Sequence, residues 1–309
     1  MSNGDDPLLD ELRDACGGDI RGDASVAELT TLRVGGPVRV LVTAESDDDL
    51  AAVGRGVATH DVPWLVVGRG SNLLVSDDGW PGVVVTLGRG FRDVRFDGER
   101  VRAGAAEPLP SLAIRIADAG LGGFAWAAAV PGSLGGAVRM NAGAHGGDMS
   151  QALVEVDLFR LRHGVRETWP LAQLGLSYRH SELPDDAVVV SATLQLHSAS
   201  TDEIRDEIAE IRQWRRDHQP LNEPNCGSVF TNPQGESAGR LVETAGAKGL
   251  SIGGATVSTT HANFIVTTPG ATATDVVRLI DEVRRRVAEV HGVDLVPEVQ
   301  MRGFARGAG

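Results

Sequence analysis

The chain has 309 residues, of which 42% are hydrophobic and 23% charged, proportions typical of a globular protein large enough for two or three domains. Its formal net charge of −13 disfavours nonspecific binding to nucleic acid or to an anionic membrane surface, because both attract basic proteins. With only two cysteines, Cys16 and Cys226, neither a disulfide framework nor a metal site is indicated, and we expect no metal.

The predicted elements of the first ninety residues alternate between helix and strand. The opening residues are acidic and polar, unlike a secretion signal, and no apolar run approaches the ~18 residues that cross a bilayer, so we expect a cytoplasmic protein. Residues 7–16 have the apolar spacing of a short helix, and Ser46 before three aspartates predicts the N-cap of a second helix. Strands are predicted at 38–43, 64–67 and 83–87, and we assign residues 1–90 to a first α/β subdomain.

A glycine-rich turn, Gly68-Arg69-Gly70-Ser71-Asn72, follows the apolar run 64–67. The spacing of Gly68 and Gly70 suggests a Rossmann dinucleotide site, which also requires a third small residue and then a helix. Position 73 is leucine, and the residues after it predict a strand and a turn. The ordinary dinucleotide fingerprint therefore fails, and the segment predicts strand, turn and strand.

Residues 91–198 predict a second subdomain built from two hairpins, a helix and a long strand. The hairpins are predicted about Asp97-Gly98 and about His163-Gly164, because such dipeptides favour tight turns between alternating strands. The helix is predicted at 108–119 and the strand at 186–197.

Six glycines cluster between the helix and the second hairpin, in the sequence AVPGSLGGAVRMNAGAHGGD at 129–148. Glycine is unfavourable for backbone entropy, so a dense cluster indicates positive-φ turns or a bulky ligand, such as a phosphate or aromatic ring, against the main chain. A flexible linker is the alternative, but linkers are rich in serine and charge, whereas this stretch contains hydrophobic residues. Together with the 68–72 turn, it predicts a dinucleotide held from two sides.

Residues 199–309 predict a third, α+β domain. Residues 200–203 fit a capping box before a helix with isoleucines at helical spacing. A second helix is predicted at 237–245, a strand at 261–268, and a last helix capped by Thr274. The whole chain therefore predicts an α+β protein.

A turn-rich loop at 225–232 contains Cys226 and Ser228. Ser228 could be a nucleophile, a proton donor or a turn serine; neither a Gly-x-Ser-x-Gly motif nor a nearby base is visible, which favours the turn. Nothing near Cys226 would lower its pKa, so we interpret it as a small buried residue.

Several charged residues are candidates for binding or catalysis. Glu298 stands in the apolar segment LVPEV, where burial would raise its pKa and make it a general acid, or it is an edge-strand glutamate facing water. Arg179, in the polar turn 177–181, is the residue type that binds a carboxylate with two hydrogen bonds. The cations Arg212, Arg215, Arg216 and Lys248, the only lysine, either meet an acidic substrate or form solvated surface.

Taken together, these segments resemble the UDP-N-acetylenolpyruvoylglucosamine reductase (MurB) family. The FAD domain of that family is similar to those of vanillyl-alcohol oxidase and p-cresol methylhydroxylase. The matching segments run in family order across nearly the whole chain: TLRVGGP (31–37), GRGSNLLV (68–75), VPGSLGGAVRMNAGAHG (130–146), SYRHS (177–181), QPLNEPNCGSVFTNP (219–233), AGRLVETAGAKG (238–249), VSTTHANFIV (257–266) and LVPEV (295–299).

The resemblance implies an FAD-binding domain of this type in two α/β subdomains, residues 1–90 and 91–198, and a C-terminal α+β substrate domain, residues 199–309. It implies an NADPH-dependent flavoenzyme that reduces UDP-N-acetyl-3-O-(1-carboxyvinyl)glucosamine to UDP-N-acetylmuramate in peptidoglycan synthesis. The FAD is expected to be noncovalent, because the histidine that carries the flavin in related oxidases has no counterpart in residues 68–72. The resemblance implies no obligatory protein partner.

The resemblance also implies roles for individual residues. Arg179 would bind the substrate carboxylate, Ser228 would donate a proton, and Glu298 would act as an acid. The expected FAD-binding residues are Gly68, Arg69, Gly70, Ser71, Asn72, Gly132, Ser133, Gly136, Asn141, Ala142 and Gly143. The expected substrate-binding residues are Tyr178, Arg215, Asn232 and Lys248.

Two other functions are compatible with the same fold. One is an FAD-dependent sugar or alcohol oxidase, against which the 227–230 loop and Glu298 argue. The other is a non-catalytic UDP-sugar or flavin-binding paralogue, which the presence of Arg179, Ser228 and Glu298 disfavours.

Overall fold

The computed structural model describes residues 6–304, which form helices and strands in comparable amounts. The α-helices are α1 Pro7–Ala15, α2 Val26–Leu29, α3 Asp47–Thr59, α4 Leu109–Asp118, α5 Leu134–Arg139, α6 Met149–Ala152, α7 Thr201–His218, α8 Ala238–Thr244 and α9 Ala273–His291. The strands are β1 Asp19–Arg21, β2 Val38–Ala44, β3 Trp64–Val66, β4 Leu73–Val75, β5 Trp80–Leu87, β6 Val94–Asp97, β7 Arg100–Gly104, β8 Leu121–Gly122, β9 Gly143–Ala144, β10 Gly147–Asp148, β11 Leu153–Arg160, β12 Val165–Pro170, β13 Ala187–Gln195, β14 His197–Ser198, β15 Ser251–Ile252, β16 Ala255–Val257, β17 Ile265–Thr267 and β18 Gln300–Arg302. None of the helices within residues 6–304 is long and apolar enough to cross a membrane.

The chain divides into two compact units, each assembled from separate stretches of sequence. The first unit takes the chain up to Asp23 together with Arg39–Arg69 and Pro81–Gln213. The second unit takes Ala24–Val38, Gly70–Trp80 and the chain from Trp214 onwards.

The first unit contains the two largest sheets. One has the strand order β1-β2-β5-β3, and the other has the order β12-β11-β13-β7-β6 with antiparallel pairing throughout. The predicted hairpins are confirmed: β6 pairs with β7 and β11 with β12. Helix α4 buries Leu109, Leu112 and Ile116 in the core that includes this larger sheet, which the 3.6-residue spacing of its apolar residues explains.

The second unit is built on the sheet β15-β16-β17 and the long helix α9, whose Val276, Ile280 and Val283 are almost fully buried. Strand β18 pairs in parallel with β4, so that Gln300 lies opposite Leu73. These backbone hydrogen bonds explain why Gly70–Trp80 belongs to this unit, although the sequence assigned it to a subdomain of residues 1–90. The division into 1–90, 91–198 and 199–309 stays a prediction, and it differs from the two compact units.

Three local predictions differ from the structure. Thr272, not Thr274, caps α9: its side chain accepts from the Asp275 N–H, and the Asp275 carboxylate accepts from the Thr272 N–H. Thr274 instead donates its hydroxyl to Asp77. The strand expected at 261–268 is limited to β17, and the glycine cluster contains the short helix α5.

Candidate active site

The glycine cluster of the first unit folds around α5, where two neighbouring glycines have different environments. Gly135 faces the interior, since a Cβ there would lie 2.9 Å from the Ala105 Cβ. Gly136 is exposed, and a Cβ there would meet only the Ser133 hydroxyl, at 3.8 Å. Glycine inside a helix is destabilising by about 1 kcal/mol relative to alanine. Because packing does not require glycine at 136, the bare backbone there fits a large ligand such as FAD.

Gly68 and Ser133 bring the two predicted cofactor segments together within this unit. A Cβ on Gly68 would overlap the Ser133 hydroxyl oxygen in its present position, so the two segments are in close contact here. Ser133 is buried, and its side chain makes no capping bond to α5. Arg69 also links the segments, since its Nε donates to the Pro131 carbonyl over 3.2 Å. The result is a surface of backbone and small side chains, which fits a dinucleotide.

The turn at 177–181 docks onto the end of the same glycine cluster. Nη2 of Arg179 donates to the Gly143 carbonyl over 2.7 Å. The buried amide of Asn141 donates to the Ser177 carbonyl over 2.9 Å. Arg179 itself has a φ of 58°, a conformation that a non-glycine residue keeps only when its surroundings hold it. The structure therefore brings the predicted carboxylate-binding arginine to the predicted cofactor segment.

Tyr178 lies on the outside of this turn. Its side chain is 57% exposed, and its ring centroid is 4.9 Å from the guanidinium carbon of Arg179. The exposed ring and hydroxyl are accessible to a ligand, and the substrate-binding role of Tyr178 stays a prediction.

In the second unit, the segments that carry Ser228 and Glu298 run side by side. The Val229 carbonyl accepts from the Glu298 N–H at 2.7 Å, and the Thr231 N–H donates to the Val296 carbonyl at 3.0 Å. Ser228 and Glu298 are both half-buried. The structure thus brings two of the three predicted catalytic residues together, on segments separated by about seventy residues in sequence.

Cys226 is buried in the core of this unit, as the sequence predicted. Burial raises the pKa of its thiol to about 12, and the charge of Glu298 adds to this effect. A thiol with such a pKa stays protonated at neutral pH and is a poor nucleophile.

The boundary between the units passes between Arg69 and Gly70, within the predicted cofactor turn. A Cβ on Gly70 would overlap the Leu29 carbonyl, so packing within the second unit already requires glycine there. The Asn72 side chain donates to the Glu298 carbonyl over 3.1 Å. The cofactor contacts expected of Gly70, Ser71 and Asn72 stay predictions, and Asn72 has in addition a contact to the Glu298 segment that the sequence did not indicate.

The sequence did not indicate a role for Asn263, although this residue stands in the family-like segment 257–266. Its side chain is 4% exposed and binds both backbone groups of Phe230, two residues beyond Ser228. The available signal was a polar residue directly before the apolar run Phe264-Ile265-Val266, because burial of a polar side chain is unfavourable unless its hydrogen bonds are satisfied.

Each predicted substrate-binding residue of the second unit makes a hydrogen bond to another residue of that unit. Lys248 donates to Glu243 over 2.9 Å, and the exposed Asn232 accepts from the Ala238 N–H at 3.0 Å. Arg215 donates only to Gln219, and burial lowers the pKa of its guanidinium. Among residues 6–304 no carboxylate pairs with Arg215, so this partly buried cation is well suited to an anionic ligand. In the same range, no group of three or more histidine, cysteine or acidic side chains could hold a metal ion.

Two protein-family models match the chain. The model described as "FAD binding domain" matches residues 38–164, which include both glycine-rich segments. The model described as "UDP-N-acetylenolpyruvoylglucosamine reductase, C-terminal domain" matches residues 219–302, which include Ser228, Asn263 and Glu298.

Relatives match over almost their full length. The chain is 42% identical to the UDP-N-acetylenolpyruvoylglucosamine reductase of Methylorubrum populi over 98% of both chains. It is 40% identical to the enzyme of the same name from Bacillus subtilis, over 97% of this chain and 99% of the relative. Its structure is similar to the crystal structure of UDP-N-acetylenolpyruvylglucosamine reductase (MurB) from Thermus caldophilus, with a TM-score of 0.80 and 36% identity over 92% of this chain and 99% of that one. The predicted fold class, an α+β protein with an FAD-binding domain, is confirmed, and the chain belongs to the UDP-N-acetylenolpyruvoylglucosamine reductase family.

Proposed function

We propose that the protein catalyses the NADPH-dependent, FAD-mediated reduction of UDP-N-acetyl-3-O-(1-carboxyvinyl)glucosamine to UDP-N-acetylmuramate, a step of peptidoglycan precursor synthesis. Family membership over nearly the full chain supports the reaction and both cofactors. The observation that carries the proposal is the pairing of the Ser228 and Glu298 segments, because this reduction requires a proton donor and an acid close together.

The first unit has the surface that suits FAD. Bound FAD supplies the redox chemistry, carrying a hydride from NADPH to the enolpyruvyl double bond. The open space in front of the exposed Gly136 backbone supports this, because a ligand can lie directly against the main chain there. The proposed cofactor residues are those expected from the sequence: Gly68, Arg69, Gly70, Ser71, Asn72, Gly132, Ser133, Gly136, Asn141, Ala142 and Gly143. We propose noncovalent binding.

The protein's own groups manage charge and the proton. When a hydride adds to the β carbon of the enolpyruvyl group, negative charge develops on the carboxylate side. We propose that Arg179 binds this carboxylate and that a protonated Glu298 stabilises the developing charge by donating a hydrogen bond. Ser228 then delivers a proton to the α carbon, which completes the addition of one hydride and one proton.

The remaining polar residues are proposed to bind the nucleotide sugar. Tyr178, Arg215, Asn232 and Lys248 are the candidates, and the substrate carries an anionic diphosphate. Arg215 has the strongest physical support, because it is partly buried and its guanidinium, among residues 6–304, donates to the neutral side chain of Gln219 and pairs with no carboxylate.

Anaerobic flavin spectroscopy tests the proposal. The purified protein should be yellow and release FAD on heating; NADPH should bleach the flavin, and the enolpyruvyl substrate should restore its absorbance. Reoxidation by oxygen but not by this substrate would favour a sugar or alcohol oxidase. Bound flavin without any NADPH oxidation would favour a non-catalytic paralogue.

The proposal includes the cellular setting expected from the sequence. We propose a cytoplasmic enzyme whose partners are small molecules, without an obligatory protein, nucleic-acid or membrane partner. The net charge of −13 supports this, because it disfavours binding to anionic polymers and membrane surfaces.

A further inference from the structure

The Asn263 side chain binds both backbone groups of Phe230, two residues after Ser228. Its Nδ2 donates to the Phe230 carbonyl at 2.8 Å, and its Oδ1 accepts from the Phe230 N–H at 2.9 Å. Its backbone carbonyl also accepts from the Val229 N–H at 2.9 Å. Because Phe230 presents one donor and one acceptor, only one orientation of the Asn263 amide satisfies both bonds.

The consequence is a fixed backbone on the C-terminal side of Ser228. The N–H and carbonyl of both Val229 and Phe230 are engaged, three of these four groups by Asn263 and the fourth, the Val229 carbonyl, by the Glu298 N–H. On the N-terminal side, Gly227 has a φ of 75° and donates its N–H to the Asn225 side chain at 2.9 Å. Ser228 therefore stands between two anchored points.

Asn72 makes two hydrogen bonds to the backbone of the Glu298 segment. Its Nδ2 donates to the Glu298 carbonyl at 3.1 Å, and its own carbonyl accepts from the Gln300 N–H at 3.1 Å. The four segments form one hydrogen-bonded row within the second unit, in the order Asn263, Ser228 loop, Glu298 segment and Asn72.

We propose that Asn263 and Asn72 are positioning residues that set Ser228 and Glu298 at a fixed separation for proton delivery. This inference rests on the proposed function. Catalytic groups must be held within a fraction of an ångström of their working geometry, and misplacement by about 1 Å can slow a reaction on the order of 10²-fold. A half-buried serine loop and a half-buried glutamate need such support, which the two amides supply through backbone contacts.

A double-mutant cycle on the two half-reactions tests the inference. Asn263→Leu removes both side-chain hydrogen bonds without adding a charge, and Asn263→Asp keeps the acceptor but replaces the donor by a carboxylate oxygen. Each is combined with Ser228→Ala, and Asn72→Ala is combined with Glu298→Gln. Thr267→Val is the matched control, because the buried Thr267 hydroxyl donates to the Leu32 carbonyl at 2.6 Å in the same unit and not to the Ser228 loop or the Glu298 segment. Flavin reduction by NADPH and reoxidation by the enolpyruvyl substrate are measured separately, with FAD content and thermal stability.

The expected result is selective and non-additive. Asn263→Leu should slow reoxidation on the order of 10²-fold through misplacement of Ser228, while reduction by NADPH keeps its rate. In the Ser228→Ala background the same substitution should have almost no further effect, because the group that it positions is gone. Asn72→Ala should behave in the same way relative to Glu298→Gln when both are measured at saturating FAD, because Asn72 is also a proposed cofactor residue. Thr267→Val should lower thermal stability without changing the ratio of the two rates.

Three results would overturn the inference. Additive slowing in the double variants, or equal slowing of both half-reactions, would mean that the asparagines only stabilise the fold. A wild-type rate of reoxidation in Asn72→Ala at saturating FAD would mean that Asn72 only binds the cofactor. If neither Asn263 variant folds, Asn263 is required for folding. The double-mutant cycle of Asn72→Ala with Glu298→Gln then decides the inference. A wild-type protein that does not reduce the enolpyruvyl substrate would instead refute the proposed function.

Discussion

The guanidinium of Arg179 donates to the backbone carbonyl of Gly143 over 2.7 Å, joining the turn at 177–181 to the glycine-rich segment. The contact has a functional meaning, because the carboxylate of the proposed substrate must be bound close to the flavin. A second bond, from Asn141 to Ser177, anchors the same turn. Arg179 is therefore placed by backbone contacts on the segment that is proposed to hold FAD.

Arg179→Lys should slow the reoxidation of reduced flavin by the enolpyruvyl substrate and leave flavin reduction by NADPH unchanged. Lysine keeps the charge but loses the planar fork that binds a carboxylate with two hydrogen bonds. Anaerobic stopped-flow absorbance separates the two steps. Arg205→Lys is the control, since Arg205 is an exposed arginine of the same unit paired with Asp118. Small, equal effects on both steps would mean that Arg179 only supports the fold.

Gly136→Val should empty the FAD site, because its branched side chain would occupy the open space in front of Gly136. The purified variant should be colourless, and titration with added FAD should show weak binding. Gly136→Ala is the graded comparison: it should stabilise the FAD-free protein by up to about 1 kcal/mol through helix propensity while weakening FAD binding. Full flavin content in Gly136→Val would contradict the assignment of this surface to the cofactor.

Ser228→Ala should separate hydride transfer from protonation. The variant keeps the backbone of the loop and removes only the proposed proton donor, so reduction by NADPH should be almost intact. Reoxidation by the substrate should slow roughly 10²–10⁴-fold, the usual contribution of a positioned proton donor, which is about 3–5 kcal/mol of barrier. Cys226→Ala is the control from the same loop and should have little effect. Wild-type reoxidation in Ser228→Ala would mean that another group or water is the donor.

Lys248→Ala should raise the Michaelis constant for the substrate or weaken FAD binding by ~1 kcal/mol or more, as for a charged hydrogen bond. The contact that the structure shows is an ion pair with the more exposed Glu243, and exposed pairs add little stability. Glu243→Gln removes this pair and leaves the lysine, so it should preserve both constants. If the two variants give the same unchanged kinetics and flavin content, Lys248 is only a surface charge.

The Asp157 carboxylate should stabilise the folded protein at neutral pH and lose this effect in acid. Burial raises the pKa of its carboxyl, but hydrogen bonds from Ser191 and Thr168 and the charge of Arg102 outweigh it and hold the pKa below the ordinary 3.8. Because the folded pKa is lowered, this stabilisation is present above the unfolded pKa and is lost as pH falls through the folded one. Urea unfolding should show wild type losing stability below about pH 4, and Asp157→Asn should lose less over that range. If both proteins lose the same stability in acid, the ionisation of Asp157 does not contribute to the pH dependence.

Local sequence signals were sufficient wherever one segment determines its own structure. The hairpins about Gly98 and Gly164, and helix α3 with its Ser46 cap, were predicted because turn dipeptides and caps act within a few residues. The cap of α9 was misplaced because two threonines stand at its start and only Thr272 has Asp275 three residues later. The helix inside the glycine cluster was missed because glycine masks helical periodicity.

The sequence by itself determined the family, the α+β class and the identity of Arg179, Ser228 and Glu298 as candidates, because ordered motifs and residue chemistry are readable along the chain. Only the tertiary structure decided how these residues are held. Asn72 and Glu298 are 226 positions apart, and no periodicity or propensity indicates which backbone carbonyl a side-chain amide will meet. The contacts of Asn263 depend on the fold for the same reason, although a polar residue beside an apolar run marks its position in the sequence. Hydrogen bonds between distant segments depend on how the strands and loops pack, and that information lies in the fold as a whole.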